Sequence, residues 1–248
     1  MRSSINAAVA ALLLAAGLSL PHRATAQSQD PAIPTGTLSA YPSVVQTGTF
    51  PTLSWGITYP SIVTDIVTVT PPGTVTPKRT LDMDVRVIGA SVKRVWLNSW
   101  GQVVDWEWVQ TQASISVNNS SYSQIWFNTQ NNVNPNTIVH TRRVYNNQPI
   151  RFAGRYVLSN GSWSTQYTST SSTGNVRALK HGDTPPTTTP LYQQPTLESF
   201  LLPYLDSQGK IKIGPKDIIY LFELTHTDPN HGGYDLQDLV LLCTFREV

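Results

Sequence analysis

Two segments near the C-terminus constrain the fold more than any other part of the chain. Ile218-Ile-Tyr-Leu-Phe-Glu-Leu224 and Leu239-Val-Leu-Leu-Cys-Thr-Phe245 are apolar on both alternating faces, with Glu223 their one charged residue. Successive side chains of a β-strand point to opposite sides of its sheet, so a strand apolar on both sides needs cover above and below. Both segments therefore belong at the centre of a sheet enclosed by further layers. The C-terminal region completes the core and is no detachable tail.

Upstream, the pattern is one of short strands separated by turn residues. In Leu81-Asp-Met-Asp-Val-Arg-Val-Ile-Gly-Ala90, Leu81, Met83, Val85 and Val87 share one face and Asp82, Asp84 and Arg86 the other, which predicts a half-buried strand with one wet face. Residues 94–98 and 103–109 flank Ser99-Trp-Gly-Gln102 and read as a hairpin. Further strands are expected at 52–58, 62–69, 124–128, 138–145, 149–158 and 175–179, with Pro71-Pro-Gly73 a break and Asn160-Gly161 a tight turn. One short helix is expected near 196–204, with Thr196 as N-cap, Leu197, Phe200 and Leu201 on one face, and Pro203 limiting its length. It follows a Pro/Thr-rich linker at 183–190.

Composition agrees with an all-β chain. At 40% hydrophobic the sequence is too apolar for a disordered polymer, while its 13% charged residues are about half the usual share, replaced by Thr, Ser, Asn, Gln and Pro. One cysteine, Cys243, excludes a disulfide scaffold, and its apolar setting predicts a buried, inert thiol. The expected architecture is an Ig-like or jelly-roll-type β-sandwich. Its division is read as an Ig-like module at 38–115 and a second β-sandwich module at 116–248, with a single fused sandwich as the alternative.

The N-terminus opens with Met1-Arg2, continues through an apolar stretch at 7–20 and ends in Ala24-Thr25-Ala26. This is the pattern of a secretory signal peptide over 1–26, followed by a flexible lead-in at 27–37. Removing Arg2 and Arg23 leaves 15 basic residues against 15 acidic ones, so the formal +2 charge belongs to the discarded segment. A nucleic-acid partner is not expected without a basic excess. No later apolar run approaches the ~18–20 residues of a spanning helix, so the protein is read as released into the periplasm or the medium without an integral membrane segment.

Two places concentrate chemistry. The loop joining the two apolar strands collects His226, Asp228, His231, Asp235 and Asp238, with Glu223 just before it. Convergent carboxylates suit a hard cation such as calcium, and Glu223, Asp228, Asp235 and Asp238 are its candidate ligands. The alternative is that Asp235 and Asp238 cap backbone amides while Glu223 meets a buried donor. His226 and His231 lack a third ligand at zinc-like spacing. Another calcium-like spacing, Asp206 to Asp217, is set aside because Gly209 falls at its fourth position and lysines at its fifth and seventh.

The other place is the hairpin: five of the seven tryptophans lie between Trp96 and Trp126. Trp106 and Trp108 project to one side of their strand, Asp105 and Glu107 to the other. Trp96, Trp100, Trp106 and Trp108 are candidates for a glycan-binding face, with rings to stack on sugars beside polar groups for the hydroxyls. In the alternative reading Trp106, Trp108 and Trp96 anchor the core. Asp105 and Glu107 stand roughly 7 Å apart at ~3.4 Å per residue, but any alternating acidic strand would do the same, so they do not make a glycosidase pair.

Asp235-Leu-Gln-Asp-Leu-Val240 resembles the Asp-aromatic-Asn-Asp-Leu-Val signature of a secreted bacterial domain of unknown function, in which a Phe-Glu-Asp segment comes first. The resemblance implies calcium binding by this loop. It covers about 25 residues and departs at Leu236, Gln237 and Leu224, each removing or lengthening an oxygen ligand. More widely, Gly48-Thr-Phe-Pro-Thr-Leu-Ser-Trp55, Val85-Arg-Val-Ile-Gly-Ala-Ser91, His181-Gly-Asp-Thr-Pro-Pro186 and residues 212–224 resemble secreted β-rich proteins of environmental bacteria. That likeness implies an exported β architecture and no particular activity.

Together these features lead us to expect a secreted, non-catalytic protein with a binding or structural role at the cell envelope or outside it, its partner a glycan or an envelope protein. A carbohydrate-binding module assisted by calcium is the second reading, and a hydrolase with an unrecognised site the third.

Overall fold

The computed structural model describes residues 35–39, 54–58, 61–192 and 194–248. The expected signal peptide and the lead-in as far as residue 34 lie outside them. The described chain is mostly antiparallel strand, as an all-β sandwich requires. Strands β1 (Thr35–Ser39) and β2 (Ser54–Thr58) pair with each other, so residues 35–37 of the expected lead-in lie in a strand.

Two larger sheets make the body. The first runs in the order β10 (Ile138–Val144), β5 (Leu81–Gly89), β15 (Leu239–Glu247), β14 (Asp217–Phe222), β13 (Val176–Leu179). The second runs β3 (Val67–Thr70), β4 (Thr74–Pro77), β11 (Ile150–Tyr156), β8 (Thr111–Val117), β9 (Ser123–Asn128), with β12 (Tyr167–Thr168) also on β11. A boundary at 115/116 falls inside β8. Strands from both sides of it share both sheets, with β5 inserted between β10 and β15.

Both C-terminal apolar strands lie inside the first sheet, and each face is closed by a different layer. Tyr220, Phe222, Leu239, Leu241 and Cys243 meet Ile115, Ile150 and Phe152 of the second sheet. The alternate residues Ile219, Leu221, Val240 and Leu242 face Leu197, Phe200 and Leu201 of helix α2 (Leu197–Leu201), together with Ile211 and Ile213. The helix starts where expected, the Thr196 side chain accepting from the amide of Ser199 at 3.2 Å, and passes into a 3-10 turn at Leu202–Tyr204. Burial pushes the Cys243 thiol well up, which keeps it protonated.

Several expectations need correction. Residues 62–69 are not one strand: Val63–Ile66 form a helical turn that buries Val63 and Ile66, and only then does β3 begin. The short β4 and β12 and the fully buried β8 carried no expectation. The polar face of β5 is only partly wet. Asp84 is buried, accepting from Thr141 Oγ1 at 2.7 Å and pairing with Arg246 at 2.9 Å, because β10 and β15 flank it. Asp82 pairs with Arg143 at 2.9 Å.

Close packing of the middle sheet fixes two positions. A methyl group at Gly89 would stand 2.9 Å from Cγ of Phe200, so Gly89→Ala must push α2 off the sheet. It is expected to lower stability by about 1–3 kcal/mol in chemical denaturation. Tyr220 is fully buried with its ring 4.8 Å from that of Phe152, and its hydroxyl has no hydrogen-bond partner among the described residues. Tyr220→Phe removes that unpaired group with little change of shape, and is expected to raise stability by up to about 1–3 kcal/mol in the same measurement.

Candidate functional site

The loop from β14 to β15 is built around buried carboxyl groups. As the chain leaves the sheet at Phe222 its amides lose their ladder partners, and Glu223 supplies replacements. Its Oε1 accepts from the amides of Thr225 at 3.0 Å and His226 at 2.9 Å and from the Thr225 hydroxyl at 2.7 Å. Its Oε2 reaches across the loop to the amides of Asp235 at 2.8 Å and Leu236 at 3.2 Å. Asp238 Oδ2 accepts from the amides of Leu224 at 2.7 Å and Thr225 at 3.1 Å. Asp235 Oδ2 takes the side-chain amides of Gln237 at 2.7 Å and Gln194 at 3.0 Å.

Three of the four expected calcium ligands thus come together, with oxygens occupied by amides. Asp228 does not join them: it is exposed at the loop's far end and holds the amide of Asn230 at 2.9 Å. The departures from the signature have structural counterparts. Leu236, in left-handed backbone with φ 57°, is buried in the cluster under α2, and the long Gln237 side chain turns back onto Asp235. Leu224 packs against Gly154, where a methyl group would stand 3.0 Å from its Cδ2. His226 and His231 stack at 3.8 Å between ring centroids, and burial, followed by the neighbouring His231, lowers the His226 pKa. Among the described residues no group of three or more His, Cys, Asp and Glu is arranged to hold a metal ion.

The other place is the hairpin of β6 (Lys93–Leu97) and β7 (Val103–Trp108), which pair only with each other. Its turn is held by Asn98, whose Oδ1 accepts from the amides of Trp100 at 3.0 Å and Gln102 at 2.9 Å, while Gly101 takes the positive φ of 75°. Its root is closed by Val109 N donating to Val92 O at 2.9 Å, with both valines buried. Among the described residues neither strand joins a larger sheet beyond that root, so the alternation of β7 has no core face.

That corrects the reading of the tryptophans as core anchors. Trp96 is 44% exposed, Trp106 46% and the tip residue Trp100 83%, while Trp108 is half-buried. Trp106 and Trp108 meet edge to face at 5.1 Å and 71°, and Lys93 Nζ stands 4.0 Å from the Trp106 centroid and 5.5 Å from that of Trp108. The register places Val95 opposite Trp106 and Lys93 opposite Trp108 on one face, and Trp96 opposite Asp105 on the other. Glu107 is paired with Arg94, and Asp105 Oδ1 takes the amide of Trp106 at 2.8 Å.

The hairpin borders a concavity of about 690 Å³, lined by Lys93, Val103, Val104, Asp105 and Trp106 from both faces of the ladder and by Leu191 and Tyr192 from a separate segment. Sequence reasoning found the tryptophans and missed Lys93, Leu191 and Tyr192. An apolar pair directly after a Pro/Thr-rich segment was the available signal for the last two. Comparisons with models of protein families, with curated proteins and with solved structures found no match for the chain.

The acidic loop has a pH consequence. Burial, and next the charge of Glu223, push the Asp235 carboxyl up to about 7, and the same causes push Asp238 well above the ordinary carboxylate range. In the unfolded chain an Asp ionises near ~3.9. Between that value and about 7 the folded state holds a proton that the unfolded state has lost, so stability falls as pH rises through this window. Asp235→Asn is expected to remove its share of that slope, as read from denaturation midpoints across the window. A slope unchanged in the variant would show that Asp235 titrates normally.

Proposed function

We propose that this is an exported, non-catalytic binding protein whose recognition element is the β6–β7 hairpin. The observation that carries the reading is the exposure of its apolar tip. Residues 95–104 include no charge, and Trp96, Leu97, Trp100, Val103 and Val104 are all exposed. A contiguous apolar surface of this kind costs solubility and marks interaction sites. Large aromatic side chains with a polar ring atom suit partly wet interfaces.

Export rests on the basic start, apolar stretch and Ala24-Thr25-Ala26 of the N-terminus. Among the described residues no helix is long and apolar enough to cross a membrane. The even charge balance that remains after removal of 1–26 favours a partner other than nucleic acid, either a glycan or an envelope protein. The role assigned to the buried carboxyl groups is structural, because amides already occupy their oxygens.

The test is binding of the labelled mature protein, residues 27–248, to envelopes of the exporting cell. Trp100→Ala combined with Leu97→Ser alters only exposed tip positions and is expected to weaken binding at least tenfold at an unchanged melting temperature. Binding equal to that of the unaltered protein would remove the hairpin from recognition.

A further inference from the structure

We infer that the concavity between the β6–β7 hairpin and the Leu191–Tyr192 wall is a binding site for a neutral carbohydrate. This rests on the hairpin being the recognition element, and it names the chemistry of the partner. At about 690 Å³ the space lies within the range of small-molecule sites. The lining supplies the three things a sugar needs from a protein: an aromatic wall, hydrogen-bonding groups and little net charge.

Trp106 is the aromatic wall. Its ring is held from two directions, edge to face by Trp108 and from above by the Lys93 ammonium, yet almost half of the residue remains open to solvent. An aromatic surface fixed before the ligand arrives loses little entropy on binding. The C–H face of a pyranose is apolar and stacks on such a ring.

The hydrogen-bonding groups of the lining are Tyr192 and Asp105, the latter from the face of β7 opposite to Trp106. The amide of Trp106 donates to Asp105 Oδ1 and orients the carboxylate. A carboxylate has about four lone-pair sites and so retains capacity for hydroxyl donors. The Tyr192 hydroxyl both donates and accepts, as paired sugar hydroxyls require.

Charge selects among ligands that stack on indole. A nucleotide or an acidic polymer needs a surplus of cations, and among the described residues this lining holds one ammonium, Lys93, and one carboxylate, Asp105. An uncharged polyol fits that balance. Val103, Val104 and Leu191 extend the apolar surface at the rim. Trp100 does not line the space, so the tip and the concavity can be altered independently.

The experiment is calorimetric titration of the mature protein with a soluble β-glucan, a mannan, a xylan and, as the acidic arm, a polyuronate, with tryptophan fluorescence followed in parallel. At least one neutral polymer is expected to bind and perturb the emission. Trp106→Ala and Tyr192→Ala are each expected to weaken that binding tenfold or more, and Trp106→Tyr to retain part of it. Since Trp106→Ala disturbs the Lys93 and Trp108 contacts, Tyr192→Ala on the opposite wall carries the test if that variant misfolds. Envelope binding that depends on Trp100, with no neutral polymer bound, would overturn the carbohydrate inference in favour of a protein partner and leave the hairpin reading standing. Binding of the polyuronate alone, or neutral binding indifferent to Tyr192→Ala, would also overturn it.

Discussion

The structure depends on the double burial of one sheet. Strands β14 and β15 bury residues on both faces, against the second sheet on one side and α2 with Ile211 and Ile213 on the other. Burial at ~25 cal/mol per Å² of apolar surface makes such strands the strongest contributors to the fold, and also the least forgiving. A backbone that enters or leaves them passes directly from a complete hydrogen-bond ladder into an enclosed turn where water cannot substitute. The carboxyl groups of Glu223 and Asp238 answer that problem. Between them they accept from the amides of residues 224, 225, 226, 235 and 236. Burial, and next the neighbouring Glu223 charge, push the Asp238 carboxyl well above the ordinary carboxylate range. The buried carboxyl groups of Glu223, Asp235 and Asp238 thus serve to close the base of this loop, while Asp228 stays in solvent.

The hairpin obeys the opposite rule. It stands outside both larger sheets, and among the described residues its strands have no partner beyond each other. A two-stranded ladder alone is marginal in water, so side chains across it must help. The Lys93 ammonium over two indoles and the Arg94–Glu107 ion pair do so on the two faces. Trp96 and the tip residue Trp100 remain exposed on this ladder. Recognition residues on a projecting segment held by a rigid framework are the common arrangement in β-sandwiches.

What the sequence disclosed follows from this division. Period-two alternation marked β5, and uninterrupted apolar runs marked β14 and β15, because burial on one face or both leaves a direct trace. Strand β8, Thr-Gln-Ala-Ser-Ile-Ser-Val, left a weak one. Gln112, Ser114 and Ser116 are buried on its second face, where Gln112 Oε1 accepts from Arg155 Nε at 2.6 Å and Ser116 Oγ donates to Ser120 O at 2.5 Å. The tryptophans show another limit. Alternation establishes that Trp106 and Trp108 share a face, but whether that face looks inward depends on which strands flank it, a long-range property. The acidic loop shows a third. Asp228 and Asp235 look equivalent in sequence, and only the path of the chain sets one in solvent and buries the other.

The hairpin and the acidic loop are neighbours, and the contact between them explains how an isolated ladder keeps its orientation. The chain leaves the first sheet at the end of β5, runs through the hairpin and enters the second sheet at β8, so its root bridges both layers. Ser91, fully buried at that root, donates its hydroxyl to Gln237 O at 2.8 Å, and Ala90 N donates to Gln130 Oε1 at 2.7 Å. Farther out, Arg94 Nη2 reaches Val157 O at 3.4 Å. Gln237 is itself held by Asp235, within the loop that Glu223 and Asp238 close. Order imposed on the loop by buried carboxyl groups therefore passes through Gln237 and Ser91 to the base of the exposed ladder. The groups that satisfy the fold's most enclosed turn also fix the direction of its most exposed element.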